Sequence, residues 1–259
     1  GDVIIEVDGE STQGMSVSQV VSLVKGREGT TVCLTIYREG EADYLEINAV
    51  RGKLIEATTV NSGMLEGTDH IGYLRIIEFD GVTVDQYAEA MAVLKEEGMK
   101  ALVLDLRSNP GGDVNAVVEI ARKILPKGMI VYTEDKYGNR KEYTCDGDKK
   151  FDLPLVVLVN EYSASASEIL AGAVQDYEMG TLIGTTTYGK GIVQQIQRLE
   201  DGTAIKLTIS AYYTPLGRNI HGIGITPDIE LEYDYDAYEA EGIDNQVEKA
   251  IEILEEQIR

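Results

Sequence analysis

Two apolar runs in the middle of the chain constrain the fold more than any other feature. Residues 101–107 read ALVLDLR and residues 153–159 read LPLVVLV, and apolar residues at helical spacing follow each run. A strand that is apolar over nearly its whole length is covered on both faces, which is typical of a parallel sheet between helices. The sequence therefore predicts an α/β fold with a βαβ-rich sheet.

Strands and helices are predicted to alternate on either side of these runs, and the chain to close with a β-hairpin and a helix. The further predicted elements are a strand at 71–79, a helix at 84–98, a helix at 113–125, a strand at 128–135, a helix from about Ser165 to Tyr177, a strand at 181–187, a hairpin of 193–199 with 203–214 around the turn EDGT, and a terminal helix at 244–259. Asp244 is predicted to cap the terminal helix, and Val247, Ile251 and either Ile253 or Leu254 to pack on the core.

The first part of the chain has a different organisation. A strand and turn at 2–10, a helix at 16–26 and a hairpin of 30–40 with 42–50 predict a small β-α-β-β unit. We therefore place a domain boundary between residues 1–52 and 53–259.

Composition excludes several classes of function. The chain has 259 residues and a formal net charge of −22, a field that repels phosphate backbones, so nucleic acid is not expected as a partner. Acidic residues concentrate at 228–241, which predicts a solvated edge strand leading into a linker, with calcium binding as the alternative.

Neither metal binding through cysteine nor a membrane span is expected. Cys33 and Cys145 lack zinc-ligand spacing and lie in strand-like stretches, so we expect two buried or half-buried free thiols, with a single disulfide left open. No apolar run approaches the roughly 18 residues of a membrane span. The first residues form no signal peptide, so we expect an internal fragment whose targeting segment or anchor lies upstream.

Three turns carry side chains or backbone groups suited to chemistry. The glycines in DLRSNPGGDV (105–114) leave N–H groups that suit a developing oxyanion, although a plain turn into a helix has the same pattern. Ser165 and Glu168 in SASASE fit a helix capping box, and Ser165 equally fits a nucleophile.

A serine nucleophile needs a base. His70 and His221 could complete a Ser-His-Asp set, but neither lies in a distinctive context. Lys190 lies between two glycines in TTTYGKGIVQQ (185–195), where it is either a surface lysine or a base. A lysine is a base at neutral pH only where removal from water favours its neutral form.

Taken in order, the motifs DLR.NPGG, SASASE, YGKGIVQ and GIGITPDIEL resemble the carboxyl-terminal processing, or tail-specific, proteases from about residue 55 to the end. The resemblance implies a crotonase/ClpP-like core with a Ser-Lys catalytic pair. It implies that Ser165 is the nucleophile, that Lys190 is the general base and that Gln194 orients the lysine.

The resemblance also implies the groups around this pair. The oxyanion donors would be the N–H of Ala166 and that of a glycine in the NPGG turn, Gly111 first and Gly112 second. Arg107 and Glu168 match family positions and are assigned supporting roles through an ion pair or capping bonds.

The activity implied is that of a serine endopeptidase that cleaves proteins with apolar C-terminal tails, without metal or cofactor. Its site of action would be extracytoplasmic or the thylakoid lumen, in a secreted or membrane-anchored protein. Homodimer contacts would come from the family's N-terminal segment.

Residues 1 to about 50 resemble the second half of a PDZ domain. The strand and the carboxylate-binding loop that hold a peptide in such domains would precede residue 1, so the chain is expected to cleave poorly or with relaxed selectivity.

Two other functions are compatible with the fold. One is a non-catalytic binding protein, against which Ser165, Lys190 and Gln194 argue. The other is a crotonase-type acyl-CoA enzyme, which the acidic charge and the PDZ-like segment disfavour.

Overall fold

The computed structural model describes residues 2–38, 40–41, 43–52, 58–68, 70–199 and 203–258. The chain forms two compact units, Gly1–Glu56 and Ala57–Arg259. The boundary predicted after residue 52 adjoins residues 53–57, which lie outside the described ranges, so the domain assignment stays a prediction. Residues 200–202 of the predicted EDGT turn also lie outside them.

The described residues of the first unit form a four-stranded antiparallel sheet and a helix. Its elements are β1 (Val3–Val7), β2 (Glu10–Ser11), α1 (Val17–Val24), β3 (Thr31–Tyr37) and β4 (Leu45–Val50). The strand order is β2-β1-β3-β4. Ser16 and Gln19 form a capping box at the start of α1, which explains why the helix begins there. The predicted strand, helix and hairpin are confirmed.

Where the structure describes the second unit, its strands form two sheets. Its elements are β5 (Val60–Met64), β6 (Ile71–Ile76), α2 (Thr83–Glu96), β7 (Ala101–Asp105), α3 (Val114–Ala121), β8 (Gly128–Asp135), β9 (Arg140–Cys145), β10 (Leu155–Val159), α4 (Ala166–Asp176), β11 (Thr181–Gly184), β12 (Ile192–Arg198), β13 (Ala204–Tyr213), β14 (Ile229–Glu230), α5 (Tyr235–Glu241) and α6 (Asn245–Ile258). The larger sheet has the order β14-β11-β10-β7-β6-β5. All of its pairs are parallel except β5 with β6.

The larger sheet is covered on both faces, as the apolar runs predict. In β7, Leu102 and Leu104 belong to the core cluster that includes α2, α3 and α4. Ala101 and Val103 face the other way, into a second cluster with Leu254 of α6. The alternation of side chains along a strand thus fills two cores, and the predicted mixed α/β class is confirmed.

One strand belongs to a different sheet from the one predicted. β8 was expected to continue the parallel series, but it lies in an antiparallel sheet of order β12-β13-β8-β9. The reason is the short turn that follows it. Asp135 Oδ1 accepts hydrogen bonds from the N–H of Tyr137 (2.8 Å) and of Asn139 (3.0 Å), which turns the chain back into β9.

The acidic segment is part strand and part helix. β14 is an edge strand, as predicted, but the predicted linker after it is wrong, because α5 forms there. Asp234 Oδ1 caps α5 by accepting the N–H of Ala237 (2.9 Å), and Gly242 ends the helix in the left-handed conformation (φ 72°). Asp244 caps α6 as predicted, and Leu254 is fully buried.

The two cysteines are free thiols, as predicted, Cys145 buried and Cys33 half-buried. Among the described residues, none of the helices has the length and apolar character needed to cross a bilayer.

Candidate active site

Three turns meet at one edge of the larger sheet. They follow β7, β10 and β11, which are parallel neighbours, so their carboxyl ends lie side by side. The turn after β7 contains the NPGG motif, and the turn after β11 leads to Lys190. The turn after β10 contains Ser163 and Ser165, and Ser167 follows in the first turn of α4. This edge is where open α/β sheets place reacting groups.

Hydrogen bonding distinguishes the three serines. The Ser163 hydroxyl donates to the carbonyl oxygen of Leu106 (2.8 Å), and the Ser167 hydroxyl donates to that of Asn109 (3.0 Å). Both side chains are fully buried. Ser165 is half-buried, and its hydroxyl donates to no acceptor in the described part of the chain. Ser165 is therefore the serine whose hydroxyl is available for chemistry.

The backbone at Ser165 makes a sharp turn from strand to helix. Its φ of 56° lies in a region that non-glycine residues seldom occupy, so the turn stores strain. Two hydrogen bonds hold it, from the Ser165 N–H to Glu168 Oε2 (2.7 Å) and from the Ala164 N–H to the Asn109 carbonyl (3.0 Å). The bond that Glu168 accepts from the Ser165 N–H is the one that the capping-box pattern predicts.

Glu168 joins the turn at Ser165 to the turn at Lys190. Its carboxylate is fully buried. Oε2 accepts the N–H groups of Ser165 (2.7 Å) and Lys190 (2.9 Å). Oε1 accepts the Thr187 hydroxyl (2.7 Å) and the Gly189 N–H (2.6 Å). Four donors thus surround one carboxylate, an arrangement that fixes both turns and stabilises the buried charge.

Glu168→Gln is expected to lower activity by about 10²-fold and the free energy of unfolding by about 2–4 kcal/mol. Each oxygen of the Glu168 carboxylate accepts hydrogen bonds from two donors. In either orientation of the glutamine amide, its NH₂ group therefore points at two donors and can accept from neither. Initial rates and urea unfolding measure the two effects. Glu119→Gln, on the exposed face of α3, is the matched control and should change neither. An unimpaired Glu168→Gln would show that the carboxylate does not hold the two turns.

The segment NIHGIGI supports the lysine turn. The Thr187 N–H donates to the Ile225 carbonyl (3.1 Å), and the Gly222 N–H donates to the Gly189 carbonyl (2.9 Å). At Gly191 a Cβ would lie 2.5 Å from the backbone nitrogen of His221, so only glycine fits there. In the sequence this segment is only part of a family pattern. The structure shows that it holds the turn at Lys190 in place through backbone hydrogen bonds.

The side chains of Lys190 and Gln194 are both exposed. Among the described residues, no hydrogen bond joins Lys190 Nζ to Ser165 or to Gln194. The structure thus links the backbones of Ser165 and Lys190 through Glu168, but it shows no bond between Ser165 Oγ and Lys190 Nζ. His70 precedes β6 and lies at the opposite edge of the sheet, where it cannot serve Ser165.

The NPGG turn packs against Ser165. Gly111 has a φ of 102°, and a Cβ there would lie 2.7 Å from Ser165 Cβ and 2.9 Å from the Ala166 nitrogen. The Gly111 N–H donates to Asn109 Oδ1 (2.8 Å). The N–H of Gly111, which the family resemblance placed first among the glycine oxyanion donors, is therefore already bonded to Asn109.

Gly112 is placed differently. Phe79 donates to the Gly111 carbonyl (2.8 Å) and accepts from the Asp113 N–H (2.7 Å), which forms a parallel bridge to Gly112. Between two such bonds, Gly112 turns its own N–H away from Phe79. Because β7 lies between β6 and β10, that direction leads toward the serine turn. The N–H groups of Gly112 and Ala166 have no acceptor among the described residues.

Arg107 lies on the α6 side of the sheet. It forms ion pairs with Asp105 (2.7 Å) and Asp244 (2.8 Å). Burial opposes its charge, but hydrogen bonds and charges from the two aspartates outweigh this and raise its pKa. Burial, and next the charge of Asp105, raise the pKa of Tyr73, whose hydroxyl donates to Asp105 at 2.6 Å. These contacts join β6, β7 and the start of α6.

Comparison with known proteins assigns the family. The profile of peptidase family S41 matches residues 70–231. The chain is 39% identical over 233 residues to a carboxyl-terminal-processing protease of Synechocystis sp., covering 89% of this chain and 54% of that protein. It is 36% identical to the carboxy-terminal processing protease CtpA of Bacillus subtilis, covering 89% and 49%. The chain belongs to peptidase family S41.

A solved structure supports the same relationship. The photosystem II D1 C-terminal processing protease is 34% identical with a TM-score of 0.63, covering 90% of this chain and 63% of that one. The chain spans about half the length of the curated relatives it matches. All three of these relatives are named as carboxyl-terminal processing proteases. The family that the sequence motifs predicted is therefore confirmed.

Proposed function

We propose that this protein is a serine endopeptidase in which Ser165 is the nucleophile and Lys190 the general base. One observation carries the proposal: the only available hydroxyl among the three serines belongs to Ser165, whose backbone shares the Glu168 carboxylate with that of Lys190. Membership of peptidase family S41 supports the same chemistry.

In the proposed reaction, neutral Lys190 takes the proton from Ser165 Oγ, which attacks the scissile carbonyl. The tetrahedral intermediate collapses to an acyl-enzyme when Lys190 returns that proton to the leaving amine. Lys190 then takes a proton from water, which attacks the ester, and returns that proton to Ser165 Oγ as the acid leaves, so that both residues are restored.

The Lys190 side chain is exposed to water, which bears on how it can act as the base. An exposed ammonium is well solvated, and a base must be neutral. We therefore propose that a bound substrate covers the Lys190 side chain, removes it from water and favours the neutral form. Gln194, four residues along on β12, would then orient the amine.

The oxyanion would form at the amino end of α4. The N–H of Ala166 is the first of the helix, where four N–H groups lack partners within the helix and the dipole favours negative charge. The N–H of Gly112 supplies the second donor. In this structure Gly111 could donate only after its N–H leaves Asn109.

Two finer features of the fold are also proposed. The βαβ-rich core and its oxyanion turn are consistent with a crotonase/ClpP-like protease core, and β1 to β4 with α1 are consistent with the second half of a PDZ domain. A PDZ domain would select substrates by an apolar C-terminal tail. We also propose that the protein acts outside the cytoplasm. It would be secreted or anchored to a membrane, and it would form a homodimer.

Exchange of the substrate tail tests this function. The protein, extended to the length of its relatives, should cleave a substrate protein with an apolar C-terminus at least about tenfold faster than the same protein ending in aspartates, because discrimination worth about 1.4 kcal/mol is within reach of one apolar pocket. Gel electrophoresis and mass spectrometry of the products measure it. Equal rates would contradict tail selection, and absence of any cleavage would contradict the peptidase function.

A further inference from the structure

Asn109 lies at the junction of three segments of the site. It is fully buried and precedes Pro110 in the NPGG turn. A buried amide needs partners for both its oxygen and its NH₂ group. The family resemblance assigned no role to this residue.

Every polar group of Asn109 is used. Its side-chain Oδ1 accepts the N–H of Gly111 (2.8 Å), and its Nδ2 donates to the carbonyl of Ile76 at the end of β6 (2.9 Å). Its carbonyl oxygen accepts the N–H of Ala164 and the hydroxyl of Ser167, both at 3.0 Å. One residue therefore ties β6, the NPGG turn and the serine turn together.

The side-chain bond to Gly111 acts next to the nucleophile. It fixes the orientation of the Pro110–Gly111 peptide. The following peptide, which carries the N–H of Gly112, is thereby held between this bond and the one that the Phe79 N–H donates to the Gly111 carbonyl. The carbonyl bond to Ala164 fixes the other side, one residue before Ser165. Asn109 thus sets the distance between an oxyanion donor and the nucleophile from both sides.

We propose that Asn109 is a positioning residue that aligns the oxyanion-binding N–H of Gly112 with Ser165 Oγ. This inference rests on the proposed peptidase function. Asn109 does not touch the reacting atoms, and it acts through the turn that it holds. A displacement of a donor by about 1 Å can lower a rate about 10²-fold, and loss of one oxyanion donor lowers kcat by about 10²–10³-fold.

The test compares Asn109→Ala, Asn109→Ser and the matched control Asn139→Ala, which changes an exposed turn residue between β8 and β9. Asn109→Ala removes both side-chain bonds and keeps the backbone bonds to Ala164 and Ser167. We expect kcat to fall about 30- to 100-fold with KM within about twofold. Asn109→Ser should recover part of kcat, because a serine hydroxyl accepts the N–H two residues on, more weakly.

A second measurement separates positioning from general damage. Binding of a peptide boronic acid, which forms a tetrahedral adduct with an active serine, should weaken in Asn109→Ala by the same factor as kcat/KM. Binding of the cleaved product peptide should not change. A loss of affinity for both, or for neither, would overturn the proposal.

The outcomes also distinguish this inference from the function on which it rests. If Ser165→Ala still cleaves substrate, the peptidase assignment fails. If Ser165→Ala is inactive while Asn109→Ala keeps the wild-type kcat, only the inference about Asn109 fails. If Asn109→Ala does not fold, the test uses Asn109→Ser together with amide hydrogen exchange of the wild type. The proposal is supported if the Gly111 N–H is protected from exchange in the wild type and kcat is lower in Asn109→Ser than in the wild type. Any other result overturns it.

Discussion

Ser165→Ala should abolish cleavage, with kcat reduced at least about 10³-fold, because the hydroxyl that forms the acyl-enzyme is removed. Its stability should stay within about 0.5 kcal/mol of the wild type, because the Ser165 hydroxyl donates to no acceptor in the described residues. Steady-state cleavage rates and urea unfolding measure the two quantities.

The neighbouring serines provide the contrast. Ser163→Ala and Ser167→Ala each remove a buried hydroxyl and leave the carbonyl of Leu106 or Asn109 without that donor. Each should lower the free energy of unfolding by about 1–3 kcal/mol and retain measurable cleavage. The reverse pattern, in which Ser165→Ala is active and one of the others is inactive, would assign the nucleophile to another serine.

Lys190→Ala has the second large effect. Without a base to take the proton from Ser165, kcat should fall about 10³-fold or more, since proton transfer is needed in both acylation and deacylation. Stability should change little, because the Lys190 side chain is exposed and the bond to Glu168 comes from its backbone N–H.

Lys100→Ala is the matched control for this variant. Lys100 is also exposed, but it directly precedes β7 and lies at the far edge of the sheet. Its substitution should leave the rate unchanged. If Lys190→Ala retains more than about a tenth of the wild-type rate, another group accepts the proton, since a base contributes at least about 10²-fold.

The apolar runs made the central sheet predictable. β7 and β10 are buried on both faces, and a strand in that environment needs apolar residues at nearly every position. β5 was not predicted, because its sequence VNSGM belongs to a largely exposed edge strand with neither apolar alternation nor length. The acidic helix α5 was also missed, because its stability depends on the caps at Asp234 and Gly242 rather than on an apolar face.

The motifs indicated the candidate residues of the site, but not the hydrogen bonds that connect them. A capping box between Ser165 and Glu168 is local and can be read from spacing. The bonds that Glu168 accepts from the N–H groups of Gly189 and Lys190 join residues more than 20 positions apart, and nothing in either motif indicates them. The bond that engages the Gly111 N–H likewise depends on the orientation of the Asn109 side chain.

Identification of the covalent intermediate tests the central claim most directly. The protein is mixed with a p-nitrophenyl ester of an apolar acyl group, quenched in acid during turnover, digested and analysed by mass spectrometry. We expect one acyl group, attached to Ser165, which is absent in Ser165→Ala and forms far more slowly in Lys190→Ala. An acyl group on any other residue, or one that persists in Ser165→Ala, would contradict it.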